Sequence, residues 1–302
     1  MKAESTGGKP KWVRLTRQAS RRLPGPCFES WDTTLNNPAA RLESDRSVWP
    51  IIIGGCYRSG TSLLRRMLDS HSRIYCGPEV KFFKDFYGDY LRDPLSHVRF
   101  FKTVRDLGIE DAVLLRLFGT PWVEAHRIAA HQQGKSRWAD KNPENVLYLT
   151  QWDVLLEGRF LFVHCVRDPL DTLASIQEAR FPLAIPEDFD GRVAVYRTFV
   201  KAGLEFEARA PGRSVRVRYE ELVEEPRQCL SRLMDGLGEK FEEGMLSFNA
   251  NRHQKGLEDP KVASTTEVHR RSLGRGRRDL TKEQIRVVVT QCANLFAQLD
   301  YS

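Results

Sequence analysis

The sequence predicts one α/β domain, a parallel sheet with helices on both faces. Three observations carry this reading. Ile51, Ile52 and Ile53 form a continuous β-branched run, the pattern of a strand buried on both sides. A glycine-bearing turn over Gly54–Gly60 separates that run from a segment with helical spacing. Strand and helix patterns then alternate downstream, as they do in parallel sheets. No internal repeat and no linker-like stretch divides the chain, so residues 25–302 read as a single domain.

The elements follow in order. After an irregular stretch over residues 25–50, the strand at Ile51–Ile53 leads through the glycine turn into a helix over Thr61–Ser70. Leu63, Leu64, Met67 and Leu68 mark its buried face. Residues 83–137 read as mostly helical, with a Gly-Thr-Pro break at 119–121. Asn142 and Pro143 suit a helix start, as cap and first-turn residue. Phe160–Val166 is a second buried strand, followed by Arg167-Asp168-Pro169 and a helix from about Leu170 to Ala179. Val215 and Val217 mark a third strand ending at Tyr219. A helix begins at Pro226, with Leu230, Leu233, Met234 and Leu237 on one face, and stops at Gly238. The last helix opens with the capping box Thr281–Gln284 and carries one stripe from Ile285 to Leu299.

Charge narrows the function classes. The formal net charge is +7, but residues 1–24 hold seven basic side chains and one acid, so +6 of it lies there and +1 in the rest. Residues 1–24 read as a solvated basic tail, and the body shows no aromatic-interleaved basic face of the kind nucleic acids select. No run of about 18 apolar residues and no apolar leader core is present, so no membrane span and a cytoplasmic location are expected. The six cysteines, at 27, 56, 76, 165, 229 and 292, form no metal-ligand spacing and read as reduced core thiols.

The most informative segment is Gly55-Cys-Tyr-Arg-Ser-Gly-Thr-Ser62, with the spacing G-x-x-x-x-G-T-S between a strand and a helix. Backbone N–H groups and the positive helix end make such a loop an anion site. The fold is therefore P-loop-type. Nucleotide triphosphatases carry Lys where this chain has Thr61, and the cation sits at Arg58 instead. The loop by itself leaves three functions open: group transfer from a multiply anionic nucleotide, a kinase using Mg-ATP on a small hydroxyl compound, and a non-catalytic nucleotide-binding regulator.

The segments YRSGTSLLRRMLDSH (57–71), CGPE (76–79), WADKNPENV (138–146), FVHCVRDPLDTLAS (162–175) and VRYEELVEEP (217–226) together resemble the sulfotransferases that use 3′-phosphoadenosine 5′-phosphosulfate (PAPS). The likeness is strongest to tyrosylprotein sulfotransferases and their bacterial relatives. It implies transfer of a sulfuryl group to a hydroxyl on a carbohydrate, a small metabolite or a peptidyl tyrosine, without a metal. By the same resemblance Arg58, Ser59, Gly60, Thr61 and Ser62 hold the 5′-phosphosulfate. Arg167 and Ser175 hold the 3′-phosphate, and Tyr219 touches the nucleotide. Glu79 is the implied base. Lys141, aided by Arg58, offsets charge on the leaving oxygen. A late arginine-rich loop is implied to close over the donor, with Ser264 and Arg275 assigned to it. His71, on the helix after the loop, reads as a packing or capping histidine rather than a base. Residues 82–137 are expected to face the acceptor and hold no diagnostic motif. Cys76 matches a family cysteine without a partner near residue 140.

Overall fold

The computed structural model describes residues 46–90, 98–179, 184–250, 268 and 270–301. The basic tail at 1–24, Cys27 and Ser264 lie outside them. Five strands form one sheet: β1 (Ile51–Gly55), β2 (Ile74–Cys76), β3 (Arg137–Lys141), β4 (Leu161–Val166) and β5 (Ser214–Arg218). Their order is β2-β3-β1-β4-β5, and every neighbouring pair is parallel. In β1, Ile52 stands opposite Asp140 on one side and Phe162 on the other.

The helices are α1 (Thr61–Asp69), α2 (Phe82–Tyr87), α3 (Val98–Arg105), α4 (Asp111–Gln132), α5 (Leu149–Leu156), α6 (Pro169–Ala179), α7 (Phe189–Arg209), α8 (Tyr219–Glu224), α9 (Pro226–Leu237), α10 (Gly276–Asp279), α11 (Lys282–Gln291) and α12 (Ala293–Gln298). They cover both faces of the sheet. Successive strand residues point to opposite sides, so β1 and β4 each feed two cores. Ile51, Ile53, Leu161, Val163 and Cys165 share one core with α1, α8 and α9. Ile52 and Phe162 share the other with Trp152 of α5, Leu173 of α6 and Tyr196 of α7. Double burial is why the sequence of β1 shows no polar alternation. Each Ile fully withdrawn from water contributes roughly 2 kcal/mol.

The structure departs from the sequence expectation in several places, beginning with β2 and β3, two strands that no sequence periodicity marked. The stretch over 83–137 is indeed mostly helical, but α4 runs unbroken through 119–121 with Pro121 inside it. Gly119 marks a close helix contact rather than an end: a Cβ there would lie 2.6 Å from Leu155 Cδ2 of α5. Trp122, stacked on Phe82 at 4.5 Å and packed on Trp152, holds the turn containing Pro121 against the core. Asn142 caps a short 3-10 turn, Pro143–Leu147, before α5 begins, its side chain accepting the Glu144 N–H. The C-terminal stripe is real but divided: α11 and α12 meet at Cys292, and the Thr281–Gln284 capping box forms as expected.

Candidate active site

Each strand delivers one candidate residue or segment from its C-terminal end, where ligands bind in open α/β sheets. β1 runs into the 56–60 loop, β2 into the Gly77–Glu79 segment, β3 ends on Lys141, β4 is followed by Arg167 and β5 by Tyr219. The sheet order brings together five segments spread over more than 160 positions of the chain.

The loop itself is tightly folded. Arg58 adopts a left-handed backbone (φ 68°), and the Ser59 hydroxyl turns back to donate to the Cys56 carbonyl at 2.6 Å. Gly60 has φ 92°, and a Cβ there would lie 2.5 Å from Cδ2 of Tyr219. Only glycine satisfies both the dihedral and the ring above it. Thr61 then starts α1, whose first-turn amides open toward the loop. Burial pushes the Cys56 thiol well above its usual range, so this loop cysteine is no thiolate.

Two residues of α1 set the position of Glu79. Buried Arg65 donates to the carbonyls of Cys76 and Gly77 at 3.0 and 3.1 Å, and Asp69 accepts the Cys76 N–H at 3.0 Å. The sequence reading missed both, although they lie inside the motif it singled out. Glu79 Oε2 sits 2.6 Å from Lys141 Nζ, which also donates to Ser62 Oγ at 3.3 Å. The Lys141 side chain is completely buried. Lys81 Nζ lies 3.6 Å from the other oxygen of Glu79 and 3.8 Å from Glu144 Oε1. Glu144 also accepts from Lys84 at 2.5 Å and from the Tyr57 hydroxyl. Burial and then the Glu144 carboxylate push the Tyr57 phenol well above its usual range, leaving it a neutral donor.

The remaining candidate residues, Arg167, Ser175 and Tyr219, lie across the loop. Arg167 donates to the Arg58 carbonyl at 3.1 Å and to the Ser272 carbonyl at 2.6 Å, and its guanidinium stacks 4.3 Å over the Tyr219 ring. Its Nε is buried without a hydrogen-bond partner among the described residues. Burial draws its pKa down, and Tyr219, Asp171 and Glu220 oppose that. Ser175 accepts from Arg58 Nε at 3.0 Å, so Ser175 and Arg167 both meet the same loop arginine.

The late segment is anchored by Asp171, which also lies 3.9 Å from the Arg167 guanidinium. Its two carboxylate oxygens accept the N–H groups of Gly276 and Gly274 at 2.7 and 2.8 Å. Arg275 reaches Glu178 at 2.8 Å and Asp279 at 2.9 Å. His71 is structural: Nδ1 accepts the Arg73 N–H at 3.1 Å while Nε2 lies 3.0 Å from the Lys240 carbonyl. Among the described residues no helix is long and apolar enough to cross a membrane, and no three His, Cys, Asp or Glu side chains converge as a metal site requires.

Comparison with known proteins gives the family and the fold. The sulfotransferase family profile matches residues 50–243, a span that includes all five strand ends. A putative protein-tyrosine sulfotransferase of Caenorhabditis briggsae is 28% identical over 204 residues, covering 65% of this chain and 68% of the relative. The protein-tyrosine sulfotransferase of Drosophila melanogaster is 26% identical over 254 residues, 79% of this chain but 47% of the relative, so the chain spans about half the length of that protein. Among solved structures, the sulfotransferase domain of the Synechococcus PCC 7002 olefin synthase superposes with a TM-score of 0.61 at 23% identity, covering 82% of this chain and 94% of that one. This last likeness concerns the fold.

Proposed function

Because the chain belongs to the sulfotransferase family, we propose that its 56–62 loop holds the 5′-phosphosulfate of PAPS while Glu79 and Lys141 carry out sulfuryl transfer to a hydroxyl. One observation carries the reading: a carboxylate and a buried lysine stand 2.6 Å apart, and the same lysine reaches the loop through Ser62. A proton acceptor and a cation beside an anion loop are what an in-line transfer between two oxygens requires.

The chemistry balances as follows. The acceptor oxygen forms a bond to sulfur and gives its proton to Glu79. The bond from sulfur to the bridging oxygen breaks, and its electron pair leaves on the 5′-phosphate. Lys141 and Arg58 offset that developing charge. A preorganised donor at such a position is worth roughly 3–4 kcal/mol in the transition state. Arg167 and Ser175 bind the 3′-phosphate, with Tyr219 and Gly60 forming the wall between the two anion sites. Ser272 and the glycine amides held by Asp171 bring the late segment to the same place; Arg275, turned to Glu178 and Asp279, braces that segment. Phosphoryl transfer from Mg-ATP is disfavoured by family membership and by Thr61 where a triphosphate loop carries Lys. The acceptor is a carbohydrate, a small metabolite or a peptidyl tyrosine, and the names of the two relatives support the last of these.

The test uses sulfur-labelled PAPS with a tyrosine peptide, a monosaccharide and 4-nitrophenol as probe acceptors. Glu79→Gln is expected to lose transfer by about 100-fold or more while still binding the product nucleotide PAP. A Gln variant that transfers at the parent rate would exclude Glu79 as the base.

A further inference from the structure

The pair Glu79–Lys141 poses a problem for the reaction as proposed. Lys141 is the sole cation within 3 Å of Glu79 among the described residues, and it is also the group that offsets charge on the leaving oxygen. A lysine cannot hold a carboxylate at 2.6 Å and follow a departing phosphate oxygen at full strength in the same geometry. If it moves toward the donor, Glu79 loses its closest restraint at the moment its orientation matters most.

The structure holds a second restraint. Glu79 presents its two oxygens to two lysines, Oε2 to Lys141 and Oε1 to Lys81 at 3.6 Å. Lys81 has its own anchor: its ammonium lies 3.8 Å from Glu144 Oε1, within a nearly buried group completed by Lys84 and Tyr57. Glu144 is fixed in turn, because it sits in the first turn after Asn142 and its N–H is bonded to the Asn142 side chain. The charges alternate along the line Lys84, Glu144, Lys81, Glu79, Lys141. Of the five, Lys141 is the one the proposed reaction assigns to the donor, and it reaches the loop through Ser62.

Resting on the reading of Glu79 as base, we infer that Lys81, held by Glu144, is a positioning residue that keeps Glu79 aimed at the acceptor hydroxyl when Lys141 turns to the donor. Lys81 restrains Oε1, so Oε2, vacated by Lys141, is the oxygen that meets the acceptor proton. The side chain of Lys81 is 23% exposed, against 0% for Lys141, so it can be replaced without opening the core. Its spacing in the sequence gives no hint of this role, since Lys81 is simply the second residue after Glu79.

The experiment compares Lys81→Met and Lys81→Arg with the parent protein. Transfer from PAPS to 4-nitrophenol is followed at saturating donor, and PAP binding by calorimetry. For Lys81→Met the expected result is a fall in kcat of about 10-fold with the KM for PAPS and the Kd for PAP unchanged, and recovery of most of the rate in Lys81→Arg. A Met variant with the parent kcat overturns the proposal, as does equal loss in Met and Arg variants. A crystal structure of the parent with PAP supplies a reading that needs no turnover. Lys81 should remain within ion-pair distance of Glu79 Oε1 while Lys141 has moved toward the nucleotide; a Lys81 turned away from Glu79 overturns the proposal. Failure of the base assignment looks different: Glu79→Gln would then keep its rate whatever Lys81 does.

Discussion

Replacing Arg167 by Met tests the second anion site, and its size can be worked from the contacts. Two of the guanidinium donors are engaged by the Arg58 and Ser272 carbonyls, while Nε is buried with no hydrogen-bond partner among the described residues. A phosphate reaching Nε would gain one charge-assisted hydrogen bond, roughly 1.5–3 kcal/mol. It would also gain a charge attraction of up to about 4 kcal/mol at 4 Å for an effective dielectric constant near 20. Loss of cavity fit and of the Tyr219 stack affects all nucleotides alike, so the informative quantity is a difference. PAP and AMP share every group except the 3′-phosphate. Arg167→Met is expected to weaken PAP by about 3 kcal/mol, about 150-fold, and AMP by less than about 3-fold. Isothermal calorimetry on both ligands with both proteins measures this directly. Equal losses for PAP and AMP would refute the assignment, because Arg167 would then only be bracing the loop and the 272 segment.

Gly60→Ala places a methyl 2.5 Å from the Tyr219 ring on a backbone with φ 92°, so the protein should lose about 2 kcal/mol of stability and PAP affinity together; thermal melts and PAP titration check both, and an unchanged melt would contradict the close contact. Glu207 lies on α7, away from the five strand ends. Burial opposes its ionisation, but hydrogen bonds from His164 and Arg216 hold its carboxyl down at about 2. Its folded value lies below the unfolded 4.5, so its contribution is complete above 4.5 and disappears as pH falls toward 2. Urea unfolding of Glu207→Gln should therefore show a deficit of about 3 kcal/mol at pH 7 that shrinks below pH 4.5; a pH-independent deficit would mean the loss is steric.

Much of the fold was legible because the signals are local. Ile51–Ile53 declares a doubly buried strand by composition alone, Thr281–Gln284 caps its helix with its own side chains, and Gly238 ends α9 in the left-handed conformation glycine permits. The strand Arg137–Lys141 was not legible. Its apolar residues are Trp138 and Ala139, yet all five positions are buried. Arg137 is satisfied by carbonyls of Trp49 and Leu237, and Asp140 by the Asn145 amide. The Arg137 guanidinium is buried here only because carbonyls far along the chain accept its hydrogen bonds, and no periodicity records that.

The same division runs through the site. By itself the sequence determined a glycine-bearing loop between a strand and a helix, the absence of the triphosphate lysine at Thr61, and the family to which the ordered blocks belong. The ordered blocks also named Glu79, Lys141, Arg167 and Ser175 as a set. The tertiary structure decided how they relate. It placed Lys141 on Glu79, Arg58 on Ser175 and Tyr219 against Gly60, and it tied Arg275 to Glu178 rather than to the loop. It also linked Glu79 through Lys81 to Glu144, and through Glu144 to Lys84 and Tyr57, drawn from three separate segments. Residue types and local order survive in a linear chain; the distance between two charges is created by the sheet order β2-β3-β1-β4-β5, which depends on every long-range contact at once.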